Sequence, residues 1–188
     1  MKRITIGTIV GAIIFFVYQS VMWMGGFHGE IAKHTPDQDN IMNYLGDKLS
    51  DGVYMMPMTD PADPDRARKD EERMKENVGK PWAMILYHEH MMDFSVSYML
   101  VGLFYSLMAC LIASLVLYYG QFPVFGVRFF VSMAFALFTL SQGVLDNMNW
   151  WSYPWQFVRP EVVDLTLGWG ITSLWLASYV KRMPATAG

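Results

Sequence analysis

The sequence predicts an all-α integral membrane protein, a four-transmembrane-helix bundle with a partly helical extracytoplasmic loop between helices 1 and 2. Three observations predict it. The chain of 188 residues is 53% hydrophobic and only 16% charged, where a soluble domain carries nearer to about a quarter charged residues. Its apolar residues fall in long blocks, Ile4 to Met24, Met92 to Tyr119, Phe129 to Leu145 and Val162 to Val180. About 20 such residues, rising about 1.5 Å each, cross a bilayer core. The charges are also segregated. Met1 to Arg3, Gly120 to Arg128 and Lys181 to Gly188 hold Lys2, Arg3, Arg128, Lys181 and Arg182, and all 17 acidic residues fall elsewhere.

Lys and Arg in short flanking pieces stay on the cytoplasmic side, so both termini are expected inside and the segment from Gly25 to about His90 outside. Aromatic placement agrees. Trp and Tyr favour the membrane–water boundary. Trp23, Trp82, Trp150, Trp151 and Trp155 fall near the outer one, and Tyr118, Tyr119 and Tyr179 near the inner one. The expected layout is transmembrane helix 1 over 1–24, then an extracytoplasmic loop over 25–91 that holds short helices and the start of a long helix 2. Transmembrane helices 2 and 3 follow over 92–119 and 129–147. An aromatic outer loop over 148–160 and transmembrane helix 4 over 161–180 complete it.

Helix 1 opens like a signal peptide, but its apolar stretch exceeds the usual h-region and no A-x-A site follows, so an uncleaved helix is expected. Gly7 and Gly11 form a G-x-x-x-G pair that permits close backbone approach. In the outer loop, Thr35 is the expected N-cap of a short helix, with Pro36 at its first position and Gln38 completing a capping box. Ile41, Leu45 and Leu49 give that helix an apolar stripe, and Asp51-Gly52 closes it. "VYMMPM" is expected on that stripe or on the membrane face.

A second outer helix starts at Asp63-Pro64 and ends at Gly79. It is charged nearly all round, with opposite charges at i, i+4 in Asp65/Lys69, Arg66/Asp70, Arg68/Glu72 and Glu71/Lys75. "KPWAMILYHEHMM" runs toward helix 2 with no proline after Pro81. Helical throughout to Tyr119, it would be about 58 Å long, so helix 2 projects from the membrane or breaks near the histidines. Cys110 is the only cysteine, so there is no disulfide framework.

Polar groups inside a membrane are costly and often functional. Here they gather at the outer ends of the helices as Gln19, Asp93, Gln142, Asp146 and Asp164, and all 4 histidines lie on that side. His88, His90, Met91 and Met92 are the candidate metal ligands, because imidazole with thioether suits copper(I). On one helix, however, His88 and His90 are about 200° apart, so a chelate within that helix is disfavoured. Polar interfacial side chains bonded to backbone or water are the other reading.

Ser132, Thr139, Gln142 and Asp146 recur at helical spacing, on a face expected to point into the bundle. Asp164 follows Pro160 and Glu161 at a helix start, where negative charge suits the macrodipole. Trp150, Trp151, Tyr153 and Trp155 either dock a partner or cap the interface. No phosphate loop, c-type haem motif or nucleophile elbow is present, no motif requires a cofactor, and the acidic outer segment argues against nucleic acid.

The segments "IGTIVGAIIFFVYQSVMWM", "GVYMMP", "GKPWAMILYHEHM" and "LGWGITSLWLASYV" resemble a family of small bacterial inner-membrane proteins with no established activity. The resemblance implies four membrane helices with a large first outer loop, and it assigns no catalytic residue. The expected function is a non-catalytic accessory or structural subunit of a larger bacterial inner-membrane assembly, in contact with lipid and with other subunits or copies of itself. A copper-handling or redox membrane protein is the alternative, and a small oligomeric transporter is the third.

Overall fold

The computed structural model describes residues 1–181, so Arg182 of the basic C-terminal piece lies outside the described residues. In order, the elements are α1 (Lys2–Met24), α2 (Gln38–Gly46), β1 (Gly52–Met56), α3 (Arg66–Asn77), β2 (Ala83–Tyr87), α4 (Val96–Tyr119) and α5 (Phe125–Thr139). A π turn over Leu140–Leu145 joins α5 to α6 (Asp146–Trp150). A second, over Asp164–Gly168, joins α7 (Trp155–Val163) to α8 (Trp169–Tyr179). The chain divides into two compact units. One comprises Met1–Lys33 and the described residues from Phe94 onward, and the other is His34–Asp93.

The first unit is a helical bundle in which α1 packs on α4 and α8, and α5 packs on α8. Its core is built from Ala12, Cys110, Ala113, Leu117, Ala136, Trp169, Leu176 and Val180. Small residues let these backbones approach. A methyl added at Gly11 would lie 3.1 Å from Leu176 Cδ2 and 3.2 Å from Cys110 Sγ, and one at Gly7 would collide with Val180.

The interior carries polar groups as well. The hydroxyls of Ser132 and Ser173 meet at 2.8 Å, and Trp169 Nε1 donates to the Ser132 carbonyl at 2.8 Å. The outward face of α1 is apolar instead. Ile6, Ile9, Ile13, Val17 and Val21 are each 41% to 53% exposed. Large apolar side chains thus face outward, where a water-soluble bundle turns a polar face to solvent.

Three helical runs are long and apolar enough to cross a membrane: Lys2–Met24, Val96–Tyr119 and Phe125–Trp150. The fourth apolar block forms the run from Trp155 to Tyr179 and is not among the three. Arg159, Glu161 and Asp164 sit in its first half. The aromatic loop expected over 148–160 shortens to the stretch between Trp150 and Trp155, because helix claims both sides of it. Pro160 lies inside α7 rather than at a helix start, since Pro154 precedes the first turn and accepts the Phe157 N–H at 2.9 Å.

The second unit corrects the all-α expectation. "VYMM" and "AMIL" pair as antiparallel strands β1 and β2, with Val53 opposite Leu86 and Tyr54 opposite Ile85. Short apolar runs of this length suit strand and helix equally well, and here cross-strand hydrogen bonding wins. Helix 2 therefore does not begin in the outer loop. The chain leaves β2 at Tyr87 and is not helical again until Val96.

α2 starts at Gln38 without the expected capping box. The Thr35 hydroxyl accepts the Asp37 N–H at 3.4 Å, and no side chain caps the helix. On α3, Arg66 pairs with Asp70 at 3.3 Å, Arg68 with Glu72 at 2.7 Å and Lys75 with Glu71 at 2.6 Å, all at i, i+4. Lys69 turns to Asp63 at 2.5 Å rather than to Asp65, which faces Arg68 at 3.6 Å.

Candidate functional site

One polar cluster in the first unit is assembled from both ends of the chain. α1 ends at Met24, and "GGFHG" follows. Gly26 and Gly29 adopt φ of 72° and 67°, a left-handed conformation that glycine takes without a Cβ penalty. These turns fold the chain back and place His28 inside the bundle, 4% exposed.

His28 Nε2 lies 3.0 Å from Asp164 Oδ1, with both side chains almost wholly enclosed. The pair is a close polar contact rather than an aligned hydrogen bond, and neither atom has a hydrogen-bond partner among the described residues. The second carboxylate oxygen, Oδ2, accepts from Trp23 Nε1 at 3.3 Å. Gln19, one turn earlier on α1, also lies against this carboxylate. The Trp23 and His28 rings meet edge to face at 4.7 Å.

Two further side chains complete the cluster. Arg159 on α7 donates from Nη2 to the His28 carbonyl and so ties the glycine loop to the last helical run. It also lies 3.1 Å from where a Cβ would sit on Gly29. Tyr18 packs its ring on Gly168, where a Cβ would sit 2.5 Å away, and its hydroxyl is enclosed without a hydrogen-bond partner among the described residues. Chemically, the imidazole and the carboxylate hold each other by close polar contact. Trp23 fixes one carboxylate oxygen, and the Arg159 bond holds the loop that carries the ring.

Of the polar intramembrane candidates, the structure brings together Gln19 and Asp164. Asp164 reaches its partners from the π turn rather than from the first turn of a helix, so the macrodipole account of it does not apply. Gln142 and Asp146 do not share the buried face of Ser132. The π turn over Leu140–Leu145 breaks the 3.6-residue phase on which that spacing relied, and Val144 is the buried residue there. Asp146 accepts from Trp150 Nε1 at 3.1 Å on the exposed side.

The expected metal ligands all fall in the stretch between β2 and α4. His88 follows β2 and lies 3.9 Å from Asp51, both exposed, while Met91 is 92% exposed. His90, Met92 and Asp93 are exposed in the same irregular stretch. Among the described residues, no three His, Cys, Asp or Glu side chains converge as a metal site would require. Trp150, Trp151 and Trp155 are exposed, and Tyr153 packs on Phe157 with ring centres 5.3 Å apart.

Sequence reasoning missed Tyr18, Trp23, His28 and Arg159 as parts of one site. The available signal was the histidine held between glycines directly after an apolar helix. Compared with models of known families, with curated proteins and with solved structures, the chain finds no match, so the chemistry of the site is read from its own residues.

Proposed function

We propose that the protein is a non-catalytic accessory subunit of a larger bacterial inner-membrane assembly. In this reading four helical runs cross the membrane, both termini are cytoplasmic, and residues 34–93 form an extracytoplasmic docking unit. The observation that carries it is the state of that unit. Across His34–Asp93 only Thr59 and Tyr87 are buried. A domain this small is marginal even with a full core. One with almost none leans on a neighbour.

The surface it offers supports this. Val53 and Leu86, opposite each other across the two strands, are 64% and 65% exposed. Met42 and Tyr44 on α2 are exposed as well. Both strands of a two-stranded sheet keep a free edge, which another chain can extend. In the first unit, the His28–Asp164 contact serves as a clamp between the end of α1 and the last helical run.

Purification in mild detergent, followed by mass spectrometry of the co-purifying proteins and an absorption spectrum, tests the reading. A stoichiometric membrane-protein partner, lost when Val53 and Leu86 are both changed to Asp, is expected. Recovery as a lone monomer would overturn it. A homo-oligomer, distinguished by mass, would make the partner a second copy of the chain.

A further inference from the structure

Arg73 is the odd basic residue of α3. Arg66, Arg68, Lys69 and Lys75 each have a carboxylate partner. Arg73 has no ion pair among the described residues, and its Nε is enclosed with no hydrogen-bond partner. It stands in the wall of a cavity of about 500 Å3 between α3, the chain after β1 and the approach to β2. Asp70 shares that wall, but its carboxylate is already engaged by Arg66 and lies beside Thr59. The rest of the lining is largely apolar and includes Met58, Met74, Val78 and Trp82, with Lys80 as a second cation.

From this the structure assigns a ligand site: the cavity takes a single-headed anionic amphiphile, its carboxylate or phosphate on Arg73 and its alkyl chain against Met58, Met74 and Trp82. The reasons are chemical. A buried guanidinium N–H without an acceptor is costly, and carboxylate or phosphate matches its fork of donors. Two cations in the lining disfavour a metal ion. The volume falls in the range of small-molecule pockets, about 300–1,000 Å3. Methionine side chains are flexible enough to follow an alkyl chain. The assignment does not rest on the accessory-subunit reading, because it needs no protein partner.

The test uses the full chain in nanodiscs of neutral lipid, with a diazirine-bearing dodecanoate as photoprobe and dodecanoate, dodecyl phosphate and dodecan-1-ol as competitors. Adducts are expected on peptides that carry Met58, Met74 or Trp82. The alcohol should compete about tenfold or more weakly than an anionic competitor, as loss of a charge-assisted bond implies. Whichever anion competes better identifies the head group as carboxylate or phosphate. Arg73→Gln should reduce labelling about tenfold, Arg73→Lys should retain part of it, and Arg68→Gln should leave it unchanged. Equal competition by the alcohol, equal labelling of Arg73→Gln, or adducts only elsewhere would each overturn the assignment.

Discussion

His28 Nε2 and Asp164 Oδ1 lie 3.0 Å apart inside the first unit, although one belongs to the loop after the first helix and the other to the last helical run. The contact holds together elements that the sequence keeps far apart. Removing one member leaves the other buried without its partner, which costs more than removing both.

His28→Ala is therefore expected to destabilise the first unit by about 3 kcal/mol. Asp164→Ala should cost a similar amount, and the double variant clearly less than the two together. Thermal unfolding of all three in mild detergent measures this. Additive effects would mean that the two side chains do not interact, since true neighbours couple by about 0.5–3 kcal/mol.

Arg128 gives a second expectation. It is 6% exposed and donates from Nε to the Ala177 carbonyl at 2.7 Å, and from Nη1 to the carbonyls of Phe122 and Pro123, each at 2.9 Å. One guanidinium thus joins the α4–α5 turn to the end of α8. Arg128→Met should cost about 3 kcal/mol, because it leaves buried acceptors unmade. Lysine lacks the planar fork and should recover only part of the loss. Unfolding midpoints of the two variants, read against the parent chain, decide the matter.

Acid should loosen α3 specifically. The Lys69 ammonium, aided by the Asp65 N–H, holds the Asp63 carboxyl below the ordinary aspartate value of 3.8. Thr59, then Arg66, does the same for Asp70. A carboxyl whose pKa is lower folded than unfolded adds stability that is complete above the unfolded value. That stability is lost as pH falls through the folded value. Hydrogen exchange across Arg66–Asn77, corrected for intrinsic rates, should stay constant near neutrality and accelerate only in the acid range below that ordinary value. Asp63→Asn together with Asp70→Asn should remove most of the pH dependence.

The apolar blocks were legible because a bilayer demands length and composition, and both are visible in a linear sequence. Three of them form helices that meet that demand. Gly7 and Gly11 were legible for a similar reason, since close approach needs small residues at fixed spacing. Three of the four α3 ion pairs expected at i, i+4 form, as helix geometry implies, while Lys69 reaches Asp63 instead of Asp65. The two strands were not legible, because four apolar residues carry too little periodicity to separate strand from helix. Asp146 and Gln142 were misplaced because helical spacing was assumed to hold through Leu140–Leu145. The site at His28 depends on contacts between distant segments; the glycines beside His28 mark the turn but do not name its partners.

The π turn at Asp164–Gly168 acts as a clutch in the last helical run. Upstream of it, the orientation of the helix is set by Asp164 against His28. Downstream, it is set by Ser173 against Ser132 and by Trp169 against the Ser132 carbonyl. One uninterrupted α-helix has a single rotational phase. A π turn, bonded i→i+5, holds about one more residue than an α turn over nearly the same rotation, so the extra residue is absorbed there and both grips close together.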